Sequence, residues 1–565
     1  MIDIQDVTFS YGESEVNSLE NINLTINDGE FVVLLGPSGC GKTSVTRLIN
    51  GLVPEFYQGN LRGNILVENH NTKEVYVSQL SDYVGSVFQD PHSQFFTTDT
   101  TSEIVFACEN EGMPREEIQK NLKNIVEKLE IEKLLDRSVL QISGGEKQMV
   151  AIASICAYSP KILVLDEPSA NLDGNAVEQL KKILEKLKNE GYTIVVSEHR
   201  IHYLKELCDR AILINNGKIE NELSGGEFRK LSNDEAHSFG LRAIDLKSLD
   251  VGAKLEPEQD GKYELSLDLE IDIQNNGKCN PSFDSGTNIP NNTKCNSSFD
   301  SEINIKSDYE FDIEAESKVE NKAESRAEST VENNKRGFSL NELTYYYKKN
   351  NSIINNLSCD FNQGEVIGVI GKNGIGKTTL LETICGLRKE KKGSISFNGE
   401  KKNLNKRSKE SYLVMQTADY QLFTDSVEKE ICMGFKGNDE KSKCEELIKK
   451  MKLDGLNERH PASLSGGQKQ RLCVAVAYMK NANIICFDEP TSGLDYFGML
   501  GVTGILRELA SSGKTVFVVT HDYEFLLNSC NKVMYMSNEN AAEIFGVSND
   551  TKNKIHNILL GKEPV

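Results

Sequence analysis

Four short apolar runs mark out this chain: FVVLL at 31–35, ILVLD at 162–166, VIGVI at 366–370 and IICFD at 484–488. Each has the length and composition of a buried strand. The N-terminal MIDIQDVTFSY alternates apolar and polar positions like a further strand, and lacks the basic-then-apolar pattern of a secretory leader. A later stretch, YELSLDLEIDI at 263–273, alternates strictly, with Tyr263, Leu265, Leu267, Leu269, Ile271 and Ile273 on one face, and predicts a strand added to the first half. No run approaches the ~18 apolar residues of a membrane-crossing helix, so the chain is expected not to span a membrane itself.

What surrounds the runs occurs twice, in the same order. FVVLL leads into GPSGCGKT at 36–43 and VIGVI into GKNGIGKT at 371–378, each followed by a helix-like stretch. Strand, glycine-rich loop and helix together make a phosphate cradle. Glycines let backbone N–H groups close on phosphate oxygens, and the helix N-terminus adds its dipole. Lys42 and Lys377 would reach the β and γ phosphates, while Thr43 and Thr378 would ligate Mg²⁺. In ILVLDEP at 162–168 and IICFDEP at 484–490 each apolar strand leads into two carboxylates. Asp166 and Asp488 would hold Mg²⁺, and Glu167 and Glu489 would polarise an attacking water as general bases. Two acidic residues in a surface turn are commoner in general, but the apolar strand before each pair argues against that here.

The spacings agree between halves. Ser143 of ISGGEKQ precedes Glu167 by 24 residues, as Ser465 of LSGGQKQ precedes Glu489; His199 and His521 end strands 32 residues past those glutamates. The chain therefore carries two copies of one domain. A third LSGGE, at 223–227, lies beyond His199 with no carboxylate strand after it in the same half, and is set aside as a decoy.

These residues resemble the ATP-binding cassette (ABC) family over roughly 1–245 and 336–540, with Walker A, Q-loop, signature, Walker B, D-loop and H-loop present in both halves. The resemblance implies an α/β fold of two tandem P-loop NTPase domains, each a RecA-like mixed sheet core with an antiparallel β subdomain and a helical signature subdomain. It implies domains at 1–245 and 336–565, joined by a linker at 246–335. It also implies an ATPase in which the cassettes pair head to tail within the chain, each ATP lying between one Walker A and the other signature. One site would then combine Gly36, Ser38, Gly39, Gly41, Lys42, Thr43, Ser44, Gln89, Asp166, Glu167 and His199 with Ser465, Gly466 and Gly467. The other would combine Gly371, Asn373, Gly374, Gly376, Lys377, Thr378, Thr379, Gln416, Asp488, Glu489 and His521 with Ser143, Gly144 and Gly145. Mg²⁺ would be held by Thr43, Gln89 and Asp166, and by Thr378, Gln416 and Asp488. Both sites keep glutamate and histidine, so both are expected to hydrolyse ATP. Tyr11 and Tyr347, at matching points before the loops, would stack on adenine, although plain strand aromatics would look the same. Asp173 and Asp495 match the D-loop, a role compatible with simple helix capping.

Composition narrows the class. The 565 residues suffice for two to four domains. Thirteen cysteines without a CxxC pair argue against disulfides or zinc and for a reducing cytoplasm. Cys40, inside the first phosphate loop, is a small filler that could still make the site thiol-sensitive. The net charge of −21 disfavours nucleic acid as a partner. From 255 to 336 there are 19 acidic and 9 basic residues, and NNGKCNPSFDSGTNI at 275–289 recurs as NNTKCNSSFDSEINI at 291–305. A polar repeat this short buries no core and reads as largely disordered.

After Gln89 the chain reads DPHSQFF, and after Gln416 TADYQLF, with a second glutamine five residues on (Gln94, Gln421). This, with SEHRIHYL at 197–204, is similar to the energy-coupling factor importers, whose ATPases drive separate transmembrane and substrate-capture components. The resemblance implies a peripheral ATPase on the cytoplasmic face of the membrane, powering uptake of a vitamin, a vitamin precursor or a metal ion and meeting the membrane only through partners. The second copy has Thr417, Ala418 and Asp419 where the first has Asp90, Pro91 and His92, a departure at the expected membrane contact. The rivals are a tandem-cassette translation factor, whose linker is typically basic rather than acidic, and a sugar importer ATPase. A DNA-repair cassette would need an inserted coiled coil or zinc hook.

Overall fold

The four apolar runs become inner strands of two six-stranded sheets, and nearly every residue in them is buried. The computed structural model describes residues 1–12, 16–170, 172–252, 337–348, 351–433, 440–480, 482–537 and 542–562. The strand expected at 263–273 and the duplicated segment lie outside the described residues.

In the first half the sheet order is Lys218–Ser224, Arg210–Asn215, Phe31–Leu35, Thr193–Ser197, Ile162–Asp166, Val84–Val87. All neighbours run parallel except the Lys218–Ser224 edge. The second half repeats this with Ala542–Gly546, Lys532–Met536, Val366–Ile370, Thr515–Val519, Ile484–Asp488 and Ser411–Val414. Beside each lies a four-stranded antiparallel sheet, the first containing Ile2–Tyr11 and the second Gly337–Lys348. The mixed sheets, antiparallel subdomains and helical layers are those of two tandem P-loop domains.

Register positions the chemistry. Asp166 pairs with Ser197 and Asp488 with Val519, so each carboxylate pair lies level with the strand end that leads to its histidine. The helices Lys42–Ile49 and Lys377–Ile384 begin at the loop lysines. The two loops share one backbone path: Gly36, Gly39 and Gly41 have φ of 141°, 80° and 113°, and Gly371, Gly374 and Gly376 have 153°, 78° and 106°. A Cβ at Gly36 would sit 2.0 Å from the Ile214 carbonyl oxygen, so that position has no room for a side chain.

The SGG serines have a local reason. Ser143 caps helix Gly144–Tyr158 and Ser465 caps Gly466–Met479, each in a reciprocal box with the residue three on, Glu146 or Gln468. The decoy obeys the same rule, Ser224 and Glu227 boxing the short helix Gly225–Lys230 at the sheet edge.

The first half does not end at its own sheet. Ala243 and Leu249 are buried in the hydrophobic core of the second half, with Leu246 and Val251 packed against them. Burying one such leucine stabilises by about 1.5–3 kcal/mol. Lys552 fastens the crossing, donating to the Leu249 carbonyl at 2.9 Å and to Asp250 Oδ1 at 2.7 Å.

Candidate nucleotide sites

The first phosphate loop forms one wall of a cavity of about 880 Å³ whose opposite wall comes from the second half. Ser38, Gly39, Gly41, Lys42, Thr43 and Ser44 line one side, with Tyr11, Gln89, Asp166, Glu167 and His199; Ser465, Gly466, Gly467 and Gly493 face them. Asp495 ties the two walls together, its Oδ2 accepting from the Ser38 backbone N–H at 2.7 Å. Gly493 is a close approach, since a Cβ there would lie 3.1 Å from Gln89 Nε2 and 3.2 Å from Glu167 Oε2.

Within this cavity the Lys42 ammonium donates to the carbonyls of Gly36 at 2.8 Å and Pro37 at 3.0 Å. The Thr43 hydroxyl lies 3.3 Å from Asp166 Oδ1, and Gln89 Nε2 donates to Glu167 Oε2 at 2.7 Å. His199 Nε2 is 3.4 Å from Glu167 Oε1. Burial works to raise the Glu167 carboxyl, but His199, Lys42 and the Gln89 hydrogen bond outweigh it and hold the group below the ordinary range.

The second phosphate loop lines a smaller cavity, about 260 Å³, with Tyr347, Asn373, Gly374, Gly376, Lys377, Thr378, Thr379, Gln416, Asp488, Glu489 and His521 on its walls. Every described residue lining it belongs to the second half; Ser143, Gly144 and Gly145 lie outside those walls. The internal contacts repeat the first site. Lys377 donates to the Gly371 carbonyl at 2.8 Å, and Thr378 Oγ1 to Asp488 Oδ2 at 2.6 Å. His521 Nε2 sits 3.0 Å from Asn373 Oδ1, and its backbone N–H donates to Glu489 Oε2 at 3.3 Å. Here burial wins: together with Asp488 it pushes Glu489 up to about 7, against the pull of Arg200 from the first half. Burial also lowers the His521 imidazole and the Lys377 ammonium.

Both glutamates are held in left-handed backbone, Glu167 at φ 47° and Glu489 at φ 50°. Such a conformation costs a non-glycine residue roughly 1–2 kcal/mol and persists where the surroundings over-determine it. The anchors are visible: the Glu167 N–H donates to Ser197 O at 2.8 Å and the Glu489 N–H to Val519 O at 2.9 Å.

A phosphate ligand and a hard divalent cation suit these residues. The Ser38 hydroxyl is buried with no partner among the described residues. Asp166 and Asp488 are raised by burial, a bias that a cation would reverse, and each meets a threonine hydroxyl, so the donors are all oxygen. Cys40 is buried and its thiol pushed up by burial, so it acts as filler.

The pattern is matched by a family model described as ABC transporter over residues 19–170 and 354–492. The chain belongs to the ABC transporter family. It is an ATPase of the ABC type with two fused cassettes. Among its relatives, one of Treponema denticola, named as an ABC transporter ATP-binding protein, is 38% identical over 537 residues and is covered to 95%, as is this chain. Another, so named in Methanosarcina mazei, is 31% identical over 96% of this chain and 90% of its own. Among solved structures, a model of ribosome-bound archaeal Pelota and ABCE1 aligns with a TM-score of 0.60 at 20% identity, covering 98% of this chain and 80% of that one, a likeness of fold alone.

Several wall residues escaped sequence reasoning. Arg47 stacks on the Tyr57 ring at 3.8 Å and donates to the Tyr11 hydroxyl at 3.0 Å, and all three line the first cavity. Tyr11 and Tyr347 share one arrangement, hydroxyl against Ser44 at 3.0 Å and against Thr379 at 3.3 Å. Nothing in spacing alone marks Arg47 or Tyr57, since the second cassette has no equivalent pair at those points.

Proposed function

We propose that this chain is the ATP-hydrolysing subunit of an energy-coupling factor-type importer, working from the cytoplasmic face of the membrane on separate transmembrane and substrate-capture components. The observation that carries this reading is a matched pair of outward aromatics. Phe96 and Phe423 stand seven residues beyond Gln89 and Gln416 and are 77% and 75% exposed. Each stands on a loop pinned by a buried carboxylate: Glu103 Oε2 accepts from the N–H groups of Phe96 and Thr97, and Glu430 Oε2 from those of Phe423 and Thr424. The Phe96 ring stacks on Phe106 with centroids 5.1 Å apart, and the placement of Phe96 and Phe423 beside the Q-loops suits a membrane component that must sense ATP. No helix among the described residues is long and apolar enough to cross a membrane. The net charge of −21 is a poor match to the ribosomal rival.

In this reading residues 1–245 and 336–565 are the two cassettes, and 246–335 joins them. Lys42 and Lys377 neutralise the transferred phosphate, and Glu167 and Glu489 take the proton from the attacking water. His199 and His521 orient the γ-phosphate. Mg²⁺ on Thr43, Gln89 and Asp166, and on Thr378, Gln416 and Asp488, supplies charge neutralisation when bound. The cargo, of the vitamin, vitamin-precursor or metal-ion class, is chosen by another polypeptide.

The test compares wild type with a Phe96→Asp/Phe423→Asp variant in the native host. Wild type should co-fractionate with membranes and co-purify with a multi-spanning protein; the variant should lose both while keeping soluble ATPase activity. Ribosome association of both forms, with none at the membrane, would overturn the reading.

A further inference from the structure

The two cassettes brace their catalytic histidine loops differently. In the first, Glu198 stands just before His199 and is satisfied entirely within its own cassette: it accepts from the N–H groups of Ser169 at 3.2 Å, His199 at 2.8 Å and Arg200 at 3.1 Å, and from the Tyr203 hydroxyl at 2.8 Å. Ser169 stands two residues after Glu167, so the brace joins the histidine loop to the loop that carries the catalytic glutamate.

In the second cassette the brace is Asp522, just after His521. Its Oδ2 accepts from the hydroxyl of Thr491 at 3.0 Å, and Thr491 stands two residues after Glu489, where the first cassette has Ser169. The cation that holds Asp522 comes from the other cassette. Arg242 donates from Nη2 to Asp522 Oδ2 at 2.6 Å and from Nε to Glu524 Oε2 at 2.7 Å, and all three side chains are at least 95% buried. Glu524 also accepts from the Ala243 N–H at 3.1 Å and meets His237 Nε2 at 2.6 Å. His237 in turn stacks on Tyr496, immediately after Asp495, with ring centroids 3.8 Å apart. A buried guanidinium satisfied by two carboxylates is rigid, because removing either partner strands a charge in low dielectric.

We propose that Arg242 is a positioning residue for the second ATP site: by fixing Asp522, and through it Thr491, the first cassette sets the geometry of His521 and Glu489 in the second. The histidine loop of the first site has no such brace from the other cassette, because Glu198 is held by Tyr203 of its own. The inference rests on the reading that Glu489 serves hydrolysis at that site.

The experiment uses the full chain in single-turnover ATP hydrolysis, with one site silenced at a time. In a Glu167→Gln background, Arg242→Lys keeps the charge but loses the fork, and should lower the remaining rate about tenfold with KM within twofold, since no nucleotide contact changes. In a Glu489→Gln background the same substitution should leave the rate within twofold. Thr491→Val, which cuts the link without disturbing the ion cluster, should reproduce the loss, and Thr491→Ser should restore it. Loss of rate at both sites alike, or Arg242→Lys and Thr491→Val both within twofold of the Glu167→Gln parent, would overturn the proposal. Adding Glu489→Gln to Glu167→Gln tests the underlying reading separately: turnover that persists there means Glu489 is not the base, whatever Arg242 does.

Discussion

Three serines in this chain perform the same local task, which makes them a controlled experiment. The hydroxyls of Ser143, Ser465 and Ser224 each accept from the backbone N–H three residues on, at 3.3 Å in every case. Replacing any of them by arginine removes one cap and costs about 1 kcal/mol of local stability, so the three variants should melt alike. Their effect on ATP should not be alike. Ser465 shares the 880 Å³ cavity with Lys42, so an arginine there brings a second cation and a long side chain to the face that must approach the first phosphate loop. At a separation of ~6 Å and an effective dielectric of ~20, the repulsion with Lys42 alone is about 3 kcal/mol, or roughly 10²-fold against closure. Ser224 caps a helix at the edge of the first sheet and lines neither nucleotide cavity. The assay is ATP-driven closure read by an engineered crosslink, with nucleotide trapped at each site. Ser465→Arg should abolish trapping at the Lys42 site and Ser224→Arg at neither; Ser143 lies outside the walls of the Lys377 cavity, so Ser143→Arg should stop trapping there only if ATP-driven closure brings the first signature onto that cavity. If Ser224→Arg stops closure while Ser143→Arg does not, the signature of the first cassette is residues 223–227 and the head-to-tail assignment fails.

Glu167→Gln and Glu489→Gln should each retain ATP binding and slow hydrolysis at their own site by roughly 10²-fold or more, the scale of losing a general base; wild-type turnover in either single variant would remove that residue from catalysis. Deleting 275–305, whose polar repeat has no core-forming pattern, should leave ATPase activity nearly unchanged; a folded but inactive deletion would show that the segment does more than connect. Burial, with Arg200 and His556 nearby and only partial relief from Asp522 and Glu524, pushes His202 down to about 4. Because that lies below the unfolded value of ~6.5, protonation favours unfolding, and stability should fall as pH drops from about 6.5 toward 4, by at most ~3 kcal/mol and less to the extent that the ring keeps solvent contact. His202→Gln should flatten that part of the melting profile; superimposable profiles would refute the assignment.

The doubled cassette was legible from residues alone because its chemistry is local. A strand, a glycine loop and a lysine must be contiguous to cradle phosphate, so GPSGCGKT and GKNGIGKT announced themselves, and equal spacings to Glu167 and Glu489 followed from a repeated domain. The LSGGE at 223–227 shows the limit of that legibility: serine, two glycines and glutamate form a helix capping box wherever a helix starts, and only position in the fold separates a signature from a cap. What needed the tertiary structure lies between distant segments. Ser38 meets Asp495 across 457 residues, and Arg242 meets Asp522 across 280. Among the described residues the same motif set yields one cavity walled by both cassettes and one walled by a single cassette, and it places Glu167 below the ordinary carboxyl range while Glu489 is pushed up to about 7. Those differences come from burial and from which charges the other cassette brings near, quantities that depend on packing and leave no trace in the order of residues.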